Sequence, residues 1–198
     1  MTTELDYSSV LTGAAFMFYE FKQVATLKDQ GLSDEEIRKK VVEENLFQHA
    51  KISSLQRGLP SILRRVNVLD DVLRKMVIEE SVEVGKAINL YAIMKTDRLF
   101  FEFIKEVIQE KFQTNNYSFE KKDLNMYFTV KAEESKNIAE WTEATVQKLK
   151  QVYIKILLDT GMLKDKKSDE LNRLIIDEQI KEHLRQIGDA KYVQAMGE

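Results

Sequence analysis

The sequence predicts an all-α fold, a compact multi-helix protein, and three observations carry that prediction. One proline and seven glycines punctuate 198 residues, so long helices joined by short turns are expected rather than many hairpins. Apolar residues recur at helical spacing along most of the chain. Residues that cap helices stand where several of those runs begin: Ser33 with Glu36 three positions on, Ser81, Asp97, Thr142 and Asp177.

Taken in order, the first helix is expected over 9–30, with Leu11, Ala14, Phe18, Phe21, Ala25 and Leu27 on a buried face and Gly31 as its stop. The Ser33 and Glu36 capping box opens a second helix ending near Asn45, with Ile37, Val41 and Val42 inward. Ser53 or Ser54 opens a third segment that Gly58 and Pro60 interrupt, so a fresh helix is expected to start near Pro60 and run to about Val68. Asp70 or Asp71 begins the next, through Ile78. Ser81 then caps a strongly apolar helix, and Asp97 opens 99–111, which is too apolar to be one-sided. This pair is the expected central core.

The polar loop 113–118 is the expected boundary between an N-terminal helical domain, 1–115, and a C-terminal one, 116–198, packed tightly together. Beyond it, Lys122 or Asp123 begins a helix, Thr142 begins another that Gly161 stops, and Asp177 caps a last one ended by Gly188. Residues 161–163 and 174–176 can pair as short strands, which would make the C-terminal part a small winged-helix-like module; a plain helical hairpin fits the same pattern.

Composition excludes several classes of function. Without cysteine there is no thiolate nucleophile and no sulfur-based zinc site, and a reducing, cytoplasmic setting fits. The stretch 1–6 has no basic region ahead of an apolar one, so no secretory signal is expected. The longest uncharged stretch near the N-terminus, 7–19, has 13 residues, against the roughly 20 that a spanning helix needs. No membrane association is expected. Neither histidine, His49 nor His183, has a second ligand three or four positions away, and the glycines are scattered singly, so neither a metal site nor a phosphate loop is expected. No nucleophile-elbow serine is present. The chain is therefore expected to be no enzyme, with no cofactor and no small-molecule substrate. Trp141 is read as an anchor for a helix start, and Met17, Met76, Met94, Met126 and Met162 as core fillers.

What remains is charge placement. Net charge is -3, yet 51–75 and 144–167 each carry a local surplus of +4, leaving -11 on the rest. Segregation of this kind can present a basic face to a polyanion. In the first stretch Arg57, Arg64 and Arg65 stand at i, i+7 and i+8 and would share one face if the Gly58 to Pro60 break were modest. Arginine suits phosphate because its planar fork donates two hydrogen bonds at once. In the second, Lys148, Gln151 and Lys155 share a polar face. The expected double-stranded DNA contacts are Arg57, Arg64, Arg65, Lys148, Lys150 and Lys155 to phosphates, with Thr142, Thr145 and Gln151 positioning or weakly reading the duplex. The alternative is a protein-protein adaptor in which the same faces meet an acidic partner subunit without direct DNA contact.

Several blocks in order also resemble a known family. They are Tyr7-Ser8, Gly13-Ala14 and Glu20; Gly31, Ile37-Arg38 and Asn45-Leu46-Phe47; Arg64-Arg65; Leu90, Ala92-Ile93 and Phe101-Glu102-Phe103; and Trp141, Thr145, Lys148-Leu149-Lys150, Ile156-Leu157 and Gly161-Met162-Leu163. Their order and spacing resemble the BrxA family, accessory proteins of bacteriophage exclusion (BREX) defence systems. The resemblance implies an all-helical protein similar in fold to the antitermination factor NusB. It also implies binding to double-stranded DNA and partnership with other BREX subunits. It brings no catalytic residues.

Overall fold

The computed structural model describes residues 5–48, 52–165, 167 and 169–197; His49, Lys51 and Lys166 lie outside them. Among the described residues the chain forms a 3-10 turn, Val10–Gly13, followed by α1 (Phe18–Asp29), α2 (Asp34–Glu43), α3 (Ile52–Asn67), α4 (Asp71–Glu79), α5 (Val82–Thr96) and α6 (Arg98–Phe103). A π-helical stretch, Ile104–Gln109, carries α6 without a break into α7 (Glu110–Gln113). The remainder is α8 (Lys121–Glu134), α9 (Lys136–Ala139), α10 (Glu143–Thr160), α11 (Glu178–Gln186) and α12 (Ala190–Ala195). Among the described residues no helix is long and apolar enough to cross a membrane.

The caps behave as their chemistry requires. Ser33 Oγ accepts from Glu36 N while the Glu36 carboxylate accepts from Ser33 N at 2.8 Å, a complete capping box. Asp70, Ser81, Asp97 and Thr142 each accept an amide from their own first turns. At the other end of α10, Gly161 takes φ +81°, the left-handed conformation that closes a helix.

α5 is the axis of the molecule. Its residues 87–94 are all buried, so it must be covered on every side. α1, α3, α4, α6, α10 and α12 all pack on it. Beside it an aromatic cluster joins the two halves of the sequence: Phe100 and Tyr153 ring centroids lie 4.9 Å apart, Phe103 and Tyr153 5.0 Å, and Phe128 and Tyr153 5.6 Å. The apolar core runs without interruption from Leu11 to Met196 across the 113–118 loop.

Three local expectations are corrected. The first helix does not run through 9–30. It breaks at residues 14–17, where Met17 takes φ +44°, and the freed carbonyls are taken by buried side chains of α3 and α5. α3 does not break at Gly58 and Pro60. Pro60 removes only the donor to Gln56 O, and both residues face solvent, which can satisfy that carbonyl. Gly58 serves packing instead, since a Cβ there would lie 3.0 Å from Met17 Cε. Finally, 174–176 pair with nothing: Leu163 bridges Leu171 and Ser118 bridges Glu170. The wing-like element is thus two isolated bridges rather than a hairpin, and Ile175 projects fully into solvent.

Candidate functional site

A groove of about 870 Å³ has three walls. One is the outer face of α10, with Lys148, Gln151, Ile154, Lys155, Leu158 and Asp159. The second is the N-terminal segment Thr12, Gly13, Ala15 and Met17. The third, Phe119, Lys121, Leu163 and Asp169, comes from the start of α8 and the loops around the bridges. Phe119 N donates to Asp169 O at 2.7 Å and Leu171 N to Tyr117 O at 2.8 Å, which holds that wall in place. A smaller cleft of about 410 Å³ continues the groove past Phe18 and Tyr19 to Lys86.

Helical geometry decides which lysines reach the groove. At about 100° per residue, Lys148, Gln151 and Lys155 fall together. Tyr153 turns the other way into the aromatic cluster, and this anchoring points the polar face outward. Lys148 and Lys121 are exposed and carry no ion pair among the described residues. Lys155 reaches Asp159 at 3.4 Å and stays 61% exposed. Surface pairs of that kind hold at most about 1 kcal/mol, so Lys155 remains available to a stronger anion. Lys150 is about 200° away from Lys148. It donates to Asn125 Oδ1 at 2.8 Å and sits over the Phe128 ring, so it does not share the groove.

Arg57 stands beside the groove on α3, against Gly13. It is exposed, and a Cβ built on Gly13 would fall 4.0 Å from Arg57 Cβ. The turn Val10–Gly13 packs on both α3 and α10, so the two basic stretches meet across it. Arg64, two turns along from Arg57, is also exposed and donates to Ser61 Oγ at 3.1 Å.

Arg65 is the main correction to the expected contacts. It is 1% exposed, because one further residue along a helix turns the side chain by about 100°, from the outer face to the core. Its guanidinium donates to Ala14 O, to Ala15 O at 2.8 Å and to Phe16 O at 3.1 Å. Asn89 Nδ2 donates to Phe16 O as well, at 2.7 Å. These two side chains hold the irregular segment that walls the groove. Burial lowers the Arg65 guanidinium to about 10, opposed by the Asp97 charge, so it stays protonated at neutral pH. Asp97, itself buried, is raised to about 6 by the same loss of water.

Thr142 and Thr145 are occupied by helix structure. Thr142 Oγ1 accepts Thr145 N at 3.2 Å and bonds Thr145 Oγ1 at 2.9 Å. Trp141 is half-buried against the core, as an anchor should be, whereas Met126 is 66% exposed and fills nothing. Lys121, Tyr19 and Lys86 were not legible as site residues, because only the tertiary arrangement brings them beside α10. Among the described residues no group of acidic or histidine side chains could hold a metal ion.

The fold and groove together define a class: an all-α protein with a lysine-rimmed cleft over an apolar floor. A family model described as BrxA matches residues 5–188. The chain is 38% identical over 197 residues to the BREX protein BrxA of Bacillus cereus, covering 99% of this chain and 98% of that one. A BREX protein BrxA of Paramagnetospirillum magneticum is 21% identical over 180 residues, covering 91% and 90%. The fold is shared with the crystal structure of an uncharacterized protein from Magnetospirillum magneticum, with a TM-score of 0.85, 21% identity, and 96% and 98% of the two chains covered. The chain belongs to the BrxA family and is a component of a BREX phage-defence system.

Proposed function

We propose that this chain is a non-catalytic accessory subunit that binds double-stranded DNA for its defence system. The observation that carries the reading is the Val10–Gly13 turn, where Gly13 lies against Arg57 of α3 and also lines the groove that Lys121, Lys148 and Lys155 rim. Two separate runs of sequence thereby supply one basic rim on a protein of net charge -3. Such a rim neutralises phosphates, and Gln151 between the lysines adds neutral donors. The NusB-like outline implied by the family resemblance belongs to the same proposal, as does assembly with other BREX subunits.

Anisotropy titration of a short blunt duplex at two salt concentrations tests it. With about four neutralised phosphates, log affinity should fall against log salt with a slope of roughly -3 to -4. Arg57→Glu with Lys148→Glu should abolish most of that binding. Duplex affinity that ignores both salt and this double variant would refute the reading.

A second reading, a protein adaptor, draws on the exposed apolar residues Ile175, Met126 and Val130. A BREX complex that survives high salt and nuclease, and that dissociates in Ile175→Asp, would favour it.

A further inference from the structure

The groove is more than a basic rim. Below Lys121, Lys148 and Lys155 its floor is apolar: Phe119 and Leu163 are buried beneath it, and Met17, Ile154 and Leu158 are half-exposed into it. Duplex DNA makes no use of such a floor, because its base faces are stacked on one another and only phosphates reach the rim. A volume of about 870 Å³ is within the range of clefts that enclose one small organic ligand. A flat apolar ring bearing an adjacent phosphate matches both layers at once, the ring on the floor and the phosphate among the lysines. The carboxylates in the groove do not reverse its sign. Asp159 is held by Lys155 at 3.4 Å, and Lys121, Lys148 and nearby Arg57 outweigh Asp169.

We propose that the groove takes an unpaired nucleotide of a DNA strand, at a frayed end, tail or bubble, with the base on the Met17, Ile154 and Leu158 surface and the flanking phosphates on Lys121 and Lys148. This inference rests on the duplex-binding reading and deepens it: the rim holds paired DNA and the floor selects DNA with an unstacked base. Bases bind apolar and aromatic platforms with little sequence preference, since every base has a face to offer.

The test compares a blunt duplex with the same duplex carrying a short single-stranded tail, with 2-aminopurine in the tail. The tailed duplex should bind roughly tenfold more tightly, the scale of one stacked base, with a change in 2-aminopurine fluorescence. In Leu158→Gln that preference should shrink toward one. Ile154→Gln, at another half-exposed residue of the floor, is a second variant, and it should do the same. Equal affinity for tailed and blunt DNA would overturn the nucleotide proposal and leave duplex binding standing. Equal loss of both substrates in the groove variants would overturn it too. Failure of the wild-type protein to bind either would remove the duplex reading along with it.

Discussion

Helices α3 and α10 come from stretches of equal charge surplus, and they use that charge in opposite ways. α10 is anchored by Tyr153 in an aromatic cluster, so its polar side is left to solvent. α3 is wedged between α1, α2 and α5, and its neighbouring arginines are split between two worlds. Arg64 faces water; Arg65 is spent on three backbone carbonyls of the segment 14–16. The lesson is that a cation on a helix is assigned by the residue next to it in space, and an angle of about 100° separates an exposed side chain from a structural strut.

The largest test of this contrast is removal of the strut. Arg65→Met leaves Ala14 O and Ala15 O without their donor and Phe16 O with Asn89 alone, and losing one side of a buried charged network costs about 3 to 5 kcal/mol. Chemical denaturation should register a loss of that size, whereas Arg64→Met should stay within about 0.5 kcal/mol.

Next in size is the pH response of the buried region. Asp97 moves from 3.8 to about 6 on folding, because burial disfavours its charge. The folded state therefore binds the proton more tightly, and stability from this group falls as pH rises through that interval. The shift corresponds to about 3 kcal/mol at most. Asp34, Asp70 and Glu102 behave in the opposite sense. Burial would raise Asp70 and Glu102, but Leu73 N and His183 hold the first low, and Lys131, Arg98 and Tyr7 the second; Lys28 lowers Asp34. Their stabilisation is full above the unfolded carboxylate values, 3.8 for Asp and 4.5 for Glu, and is lost as pH falls through their depressed ones, at and below the acid end of the Asp97 interval. Denaturation midpoints measured between pH 4 and 7 should decline, and Asp97→Asn, which keeps a helix-capping side chain, should flatten the decline. A flat wild-type profile would sink the assignment.

On the exposed side the effects are smaller and belong to binding. Lys148→Ala should reduce the salt slope for duplex DNA by about 0.9. Smallest of all, Lys150→Ala should leave that slope unchanged, because its ammonium is turned away toward Asn125 and Phe128. A matching loss at Lys150 would erase the distinction between the two faces of α10.

Most helix starts were legible because caps are local chemistry: Ser33, Asp70, Ser81, Asp97, Thr142 and Asp177 each accept from amides two or three residues ahead. The grouping of Lys148, Gln151 and Lys155 was legible for the same reason, since it needs only helical periodicity. The break at 14–17 was not, because its cause lies 49 to 73 residues away in Arg65 and Asn89. Pro60 misled in the reverse direction, as a local breaking signal that an exposed helix face tolerates. Lys121 entered the site only through the bridges that fix 117–119 beside 169–171.

The clamp on residues 14–16 also bears on how the protein comes to exist. Its bonds span about fifty residues to Arg65 and 73 to Asn89, so the chain must close those loops before the segment has anything to hold it. During synthesis the first wall of the groove to leave the ribosome must thus wait for α3 and α5 before it takes shape. The groove's lysines, Lys121, Lys148 and Lys155, are made later still, so the cleft is complete only when the whole body has finished folding.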